Sequence, residues 1–237
     1  MILSSKKSEI IEAVTRTLTD DGASPLLIAT FCQRLTTFME TPSAYIAEDH
    51  IQPVGELPAL EALPEAKNTT RHLPRTAVFK LNGGLGTGMG LQYAKSLIPV
   101  KKSYRFMDII LRQVEYLREV FCCSTPILFM NSYSTERDTQ RVLADYHELV
   151  KDQRGIPFSF LQNRVPKLHR ETLRPVSAAT DPELAWCPPG HGDFYTSMYA
   201  TGLLRRLLEQ GILYAFISNS DNLGATLDER ILEYLAE

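Results

Sequence analysis

Thr76-Ala-Val-Phe-Lys-Leu-Asn-Gly-Gly-Leu-Gly-Thr-Gly-Met-Gly90 is the stretch that decides how the rest of the chain reads. Its first six residues are mostly apolar, β-branched or aromatic, stand behind Pro74, and predict a buried strand over 76–81. Five glycines (Gly83, Gly84, Gly86, Gly88 and Gly90) then fall within eight positions. Glycine lets backbone N–H groups approach another atom with no Cβ in the way. A run of such groups after a strand makes a concavity suited to phosphate oxygens. Lys95, a few residues on, supplies a mobile positive charge within reach of a polyphosphate tail. Tight turns and linkers share this composition. The spacing is not that of a G-x-x-x-x-G-K-[ST] loop, and no acidic residue stands where a dinucleotide fingerprint needs one. Strand, glycines and lysine together read as a phosphate cradle.

Working outward, strands alternate with helices. Upstream, Ile10, Ile11, Val14 and Leu18 recur at helical spacing, and a second helix opens at Ser24-Pro25 and runs to about Glu40. Five prolines interrupt 42–75, which reads as a connector. Downstream, Ser96-Leu-Ile-Pro-Val100 predicts a short extended piece broken by Pro99, followed by a helix over 106–121. Strands are expected at 126–130, 156–161 and 213–217. Thr135-x-x-Asp138 suggests a capping box. A helix capped by Asp193 is expected over 194–210, closed by Gly211, and a last one from about Thr226. The order implies an α/β fold: a layered nucleotide-binding domain with a mixed, largely parallel sheet, behind a small helical N-terminal segment. The divisions are 1–41 helical segment, 42–75 connector and 76–237 nucleotide-binding domain, the last reading as incomplete at its C-terminal end.

Ligands of such sheets bind beyond the carboxyl ends of the strands. Besides the glycine loop, two other segments follow strands directly. Gln162 carries an amide, whose donors and acceptor together suit the edge of a pyrimidine base. Ser218-Asn-Ser-Asp-Asn222 places Asp221, a hard oxygen ligand suited to Mg²⁺, just past a strand. Pro188-Pro-Gly-His-Gly-Asp193 opens a helix, and the flanking Gly190 and Gly192 leave His191 outside any core. A solvated loop glutamine, a structural histidine and an Asp/Asn strand-to-helix turn are the plainer accounts of these pieces. Their convergence on one sheet edge favours a single site.

Composition sets bounds. The 237 residues, 44% hydrophobic and 22% charged, are those of an ordinary globular protein. A formal net charge of −3 gives no reason to expect nucleic acid or an anionic membrane as partner. Cys32, Cys122, Cys123 and Cys187 lack metal-ligand spacing and read as buried free thiols of a reducing, cytoplasmic compartment. No stretch approaches membrane-span length. Oligomeric state is not legible.

In its wording, Leu81-Asn-Gly-Gly-Leu-Gly-Thr87 followed by Met89-Gly90 and Lys95-Ser96 resembles the nucleotide-binding loop of the eukaryotic-type UTP–glucose-1-phosphate uridylyltransferases, the UDP-glucose pyrophosphorylases. From about Phe79 to the end of the chain, four motifs follow that family's order. The resemblance implies a Rossmann-like nucleotidyltransferase fold, the substrates UTP and a sugar 1-phosphate, and Mg²⁺. It further implies that Leu81, Asn82, Gly83, Gly84, Lys95, Gln162, Gly190 and Asp221 hold the nucleotide, with Gln162 on uracil. Gly83, Gly84, His191, Asn219, Ser220 and Asp221 would serve the sugar nucleotide, Lys95 and Asp221 the catalysis, and Asp221 the metal. Leu91-Gln-Tyr-Ala94 departs from the family, which carries a basic residue and Gly-Pro before the lysine. Family members also hold a further phosphate-binding lysine and a C-terminal β-helix not found in this sequence. A UDP-sugar or UDP-N-acetylhexosamine pyrophosphorylase and a non-catalytic UTP-binding fragment are the rival readings.

Overall fold

The computed structural model describes residues 4–41, 45–85, 90–91, 93–146, 149, 153–178 and 180–237. The chain forms two compact units, one of Met1–Leu57 with Asn163–Thr196 and one of Pro58–Gln162 with Ser197–Glu237. The helical segment 1–41 therefore shares its unit with 163–196, a stretch the sequence alone assigns to the 76–237 domain.

In the first unit, α1 (Ser4–Asp20) and α2 (Pro25–Glu40) bury Ile10, Val14, Leu18, Leu27, Leu35 and Met39 in one cluster. Ser24 caps α2 by accepting the Leu27 N–H at 3.2 Å. Val165 joins that cluster, with Trp186 and Cys187 packed against it. These three belong to a small antiparallel ribbon that pairs residues 165–166 with 186–187. Arg164 binds both carboxylate oxygens of Asp21, donates to Glu183 at 2.9 Å and lies over the Trp186 ring at 4.8 Å.

The second unit holds the sheet. After the one-turn helix α3 (Thr69–His72), β1 (Thr76–Asn82) enters it. Then come β2 (Pro99–Lys101), β3 (Tyr104–Arg105), α4 (Phe106–Phe121), β4 (Ile127–Asn131), α5 (Tyr133–Leu143) and β5 (Ser159–Leu161). The chain visits the first unit through β6 (Val165–Pro166), β7 (Trp186–Cys187) and the start of α6 (Asp193–Ala200). It returns through α7 (Leu203–Glu209), β8 (Tyr214–Asn219) and α8 (Glu229–Ala236). Four strands make a parallel sheet in the order β5-β4-β1-β8, with Val78 opposite Ile127 and Phe216. The α4 face packs Met107, Ile110, Leu111 and Val114 on Val78, Ile127 and Phe129. The chain is thus α/β with a parallel central sheet behind N-terminal helices.

Several local expectations are corrected. Pro99 opens β2, which pairs antiparallel with β3, because a proline at a strand's first position forfeits no needed donor. The capping box of α5 is Ser132 with Thr135, whose Oγ1 accepts the Ser132 N–H at 3.0 Å, so the helix begins earlier than Thr135. The helix expected over 194–210 is two helices, broken at Gly202 with φ +72°. Asp193 does not cap from outside: it is the first residue of α6, and its carboxylate accepts the N–H and Nδ2 of Asn163 at 2.7 and 2.8 Å. The last helix starts at Glu229, capped by Asp228, rather than near Thr226. Of the four thiols, all free, Cys122, in the left-handed conformation that ends α4, is exposed; the other three are half-buried.

Candidate functional site

All four strands of the parallel sheet end on one edge, and the ends of β1, β5 and β8 each carry a residue singled out in the sequence or stand directly before one. At the end of β1, Asn82 is 1% exposed. Its Nδ2 donates to Asn131 Oδ1 at 2.7 Å and Thr139 Oγ1 at 2.9 Å, and its Oδ1 accepts from Ser220 Oγ at 3.0 Å. Three chain segments, the ends of β1 and β4 and the turn after β8, are thereby joined through one amide. The Asn82 and Ser220 side chains are thus bonded to each other within the protein, and the Ser220 N–H donates to the Leu81 carbonyl at 3.0 Å. Asn131 and Thr139 escape a reading of the sequence; an asparagine ending an apolar strand is the signal that could have found the first.

Gly83 follows at once. A Cβ there would lie 2.5 Å from Gln162 Nε2, so any side chain at this position would push the buried Gln162 amide aside. Gln162 is itself held by its N–H, which donates to the Asn131 carbonyl at 2.8 Å. The loop then turns back: Leu85 bridges Ala94, and the Lys95 N–H donates to the Gly84 carbonyl at 3.2 Å. Ala94 is fully buried and leads directly into Lys95, whose side chain runs beside Gly84. Gly86, Gly88 and Gln92 lie outside the described residues.

Lys95 Nζ stands 3.6 Å from Asp221 Oδ2, with about two-fifths of each side chain open to solvent. Asn219, exposed at the end of β8, is in register with Leu81. Gly190 and His191 belong to the first unit, where both are exposed, Gly190 has φ +105°, and their carbonyls accept the Asp193 and Phe194 N–H groups. The second unit therefore brings together Leu81, Asn82, Gly83, Gly84, Lys95, Gln162, Asn219, Ser220 and Asp221.

Among the described residues no group of three or more His, Cys, Asp or Glu side chains is placed to hold a metal ion. A lone accessible carboxylate fits a Mg²⁺ ion that keeps its waters and arrives with phosphates, and does not fit an all-protein cage.

The sequence pattern of UTP–glucose-1-phosphate uridylyltransferases matches residues 28–237. The chain belongs to that family. A uridylyltransferase of Saccharomyces cerevisiae is 40% identical over 183 residues, covering 77% of this chain and 36% of the yeast protein. That of Solanum tuberosum is 38% identical over 196 residues, covering 82% and 39%. The UDP-glucose pyrophosphorylase of Leishmania major superposes with a TM-score of 0.89 at 37% identity over 99% of this chain and 48% of that one. A G45Y variant of the Leishmania enzyme, solved in complex with UDP-glucose, gives 0.87 at 38% identity, covering 95% and 47%. The chain thus spans less than half the length of the uridylyltransferases it matches here. No described helix is long and apolar enough to cross a membrane.

Proposed function

We propose that this chain carries the nucleotide half of a UTP–glucose-1-phosphate uridylyltransferase site. The reaction is attack of a glucose 1-phosphate oxygen on the α-phosphorus of UTP, with cleavage of the α–β bridge, release of pyrophosphate and formation of UDP-glucose. The observation that carries the reading is the meeting of Lys95 and Asp221 at 3.6 Å, both beside the glycine loop at the carboxyl edge of the sheet. A lysine and a carboxylate on a phosphate cradle are the two charges that phosphoryl transfer asks for.

The loop N–H groups at Gly83 and Gly84 and the Lys95 ammonium take the phosphate oxygens. Gln162, buried and braced on β4, presents its amide to the pyrimidine edge. The resemblance in sequence supports a role for Gly190 at the base, and for Asn219 and His191 on the sugar side. Asp221 would hold Mg²⁺, which offsets negative charge on the phosphates when bound. The free thiols fit a cytoplasmic setting.

Pyrophosphate release from UTP, measured across glucose, galactose and N-acetylglucosamine 1-phosphates with Mg²⁺, tests the proposal. Turnover selective for glucose 1-phosphate is expected of the site. Selectivity for another sugar would move the assignment to a sister pyrophosphorylase, and UTP binding without turnover for any sugar would favour a binding module.

A further inference from the structure

Lys80 is a residue that the proposed site does not use. It sits in the middle of β1 and is 2% exposed, although lysine is almost never fully buried unless paired. No carboxylate of the described residues pairs with it. Its Nζ donates to Ser218 Oγ at 2.7 Å and to the Ala225 carbonyl at 3.0 Å, and it lies 5.5 Å from the centre of the Phe216 ring. Burial pushes its pKa down to about 8. Retaining an unpaired charge in an apolar layer opposes folding, so an apolar residue would serve packing better.

The positions of the two acceptors suggest what the charge does. Ser218 and Ala225 bracket 219–224, the turn that carries Asn219, Ser220 and Asp221. A single ammonium thus ties both ends of that turn to the central strand. From the other side, Ser220 is bound to Asn82, and Asp221 reaches Lys95. The turn has no helix or strand of its own between β8 and α8; besides these tethers, the Ser220 N–H donates to the Leu81 carbonyl at 3.0 Å and Gln113 Nε2 to the Leu223 carbonyl at 3.1 Å, while among the described residues Lys80 alone binds at both of its ends.

We propose that Lys80 is a positioning residue: its ammonium draws Ser218 and Ala225 together beneath the turn and so holds Asp221 at the phosphate cradle. Its consequence for nucleotide binding rests on the proposed function. Lys80 also lines a cavity of about 280 Å³ with Val78, Ile110, Val114, Phe216 and Leu227. Tyr116, which lines the same cavity, is exposed. Tyr116 and Glu229 are the other titratable groups lining it.

Two variants, Lys80→Met and Lys80→Arg, and two measurements decide the matter. Hydrogen exchange of the 218–225 segment, corrected for intrinsic rates, should show protection in the natural protein that fades as pH rises through about 8. The Met variant should lack that protection at every pH, and the Arg variant should keep it to higher pH. Mg²⁺-dependent UTP titration should follow the same profile, with the Met variant weaker by about tenfold at pH 7. Both variants are first checked by thermal melts, and because Lys80→Met removes a buried charge, its melting temperature should not fall at pH 7. A turn equally protected in all three proteins, or protection indifferent to pH between 6.5 and 9.5, would overturn the role of Lys80. A natural protein that fails to bind UTP would sink the functional reading while the exchange data still decide Lys80.

Discussion

At the scale of single residues, the site depends on what is missing from Gly83 as much as on what is present elsewhere. Since a Cβ there would stand 2.5 Å from the Gln162 amide, Gly83→Ala should displace that amide and weaken UTP binding by roughly ten- to a hundredfold. Gln162→Ala alone should weaken it similarly, and the double variant should be little worse than either single one. Titration of the four proteins gives the coupling; fully additive losses would mean that the two residues act separately. The Lys95–Asp221 pair calls for a different expectation. Both side chains are about two-fifths exposed, so the pair contributes at most about 1 kcal/mol to stability. Asp221→Asn should leave the melting temperature within a degree or two and remove the Mg²⁺ response of UTP binding, and Lys95→Ala should likewise spare the fold and lose affinity. A cooperative loss of structure in either variant would show that the pair is structural.

Elements show where sequence reasoning succeeds. The helix over 106–121 and the strand through Lys80 are legible because their patterns are long and consistent with burial on one face or two. Gln162, Lys95 and Asp221 can be gathered from the sequence because each stands in a motif or directly after an apolar run. Pairing across the chain is not legible in that way. Nothing in the sequence near Thr139 announces that its hydroxyl meets Asn82, and a lysine within an apolar strand gives no sign of partners at 218 and 225. The break at Gly202 is hidden because Leu203 to Leu207 continues the helical pattern past the glycine. One helix start also carries a pH prediction. Asp108 near the start of α4 accepts the Arg105 N–H at 2.8 Å and the Tyr146 hydroxyl at 2.7 Å, and it pairs with the Arg105 side chain. Burial would raise its pKa, but these donors outweigh burial and hold it down at about 2. A depressed carboxylate stabilises the fold above its unfolded pKa and loses that contribution as pH falls towards the folded value. Between about pH 4 and pH 2 the natural protein should therefore lose about 2 kcal/mol that Asp108→Asn lacks throughout. Denaturant melts of both proteins across that range check it; parallel pH curves would refute the cap.

For the whole molecule, connectivity matters most. The first unit is assembled from two stretches, 1–57 and 163–196, with the whole of 58–162 in between. Val165, Leu168, Leu173 and Trp186 have α1 and α2 as their apolar neighbours. Deleting residues 1–41 should strip that cover and make 163–187 the first segment cut by trypsin or chymotrypsin, while the sheet of the second unit resists. Timed digestion followed by mass spectrometry reads this directly, and an unchanged cleavage order would show that the ribbon is held by other contacts. The same interruption bears on biosynthesis. As the chain leaves the ribosome, α1 and α2 emerge with half of a core and must wait for the other half while 58–162 is translated. At roughly 5–20 residues per second that delay is on the order of ten seconds, long against the microseconds in which a helix forms. The nascent helices are therefore candidates for chaperone custody, and a translational pause between codons 58 and 196 would lengthen their exposure.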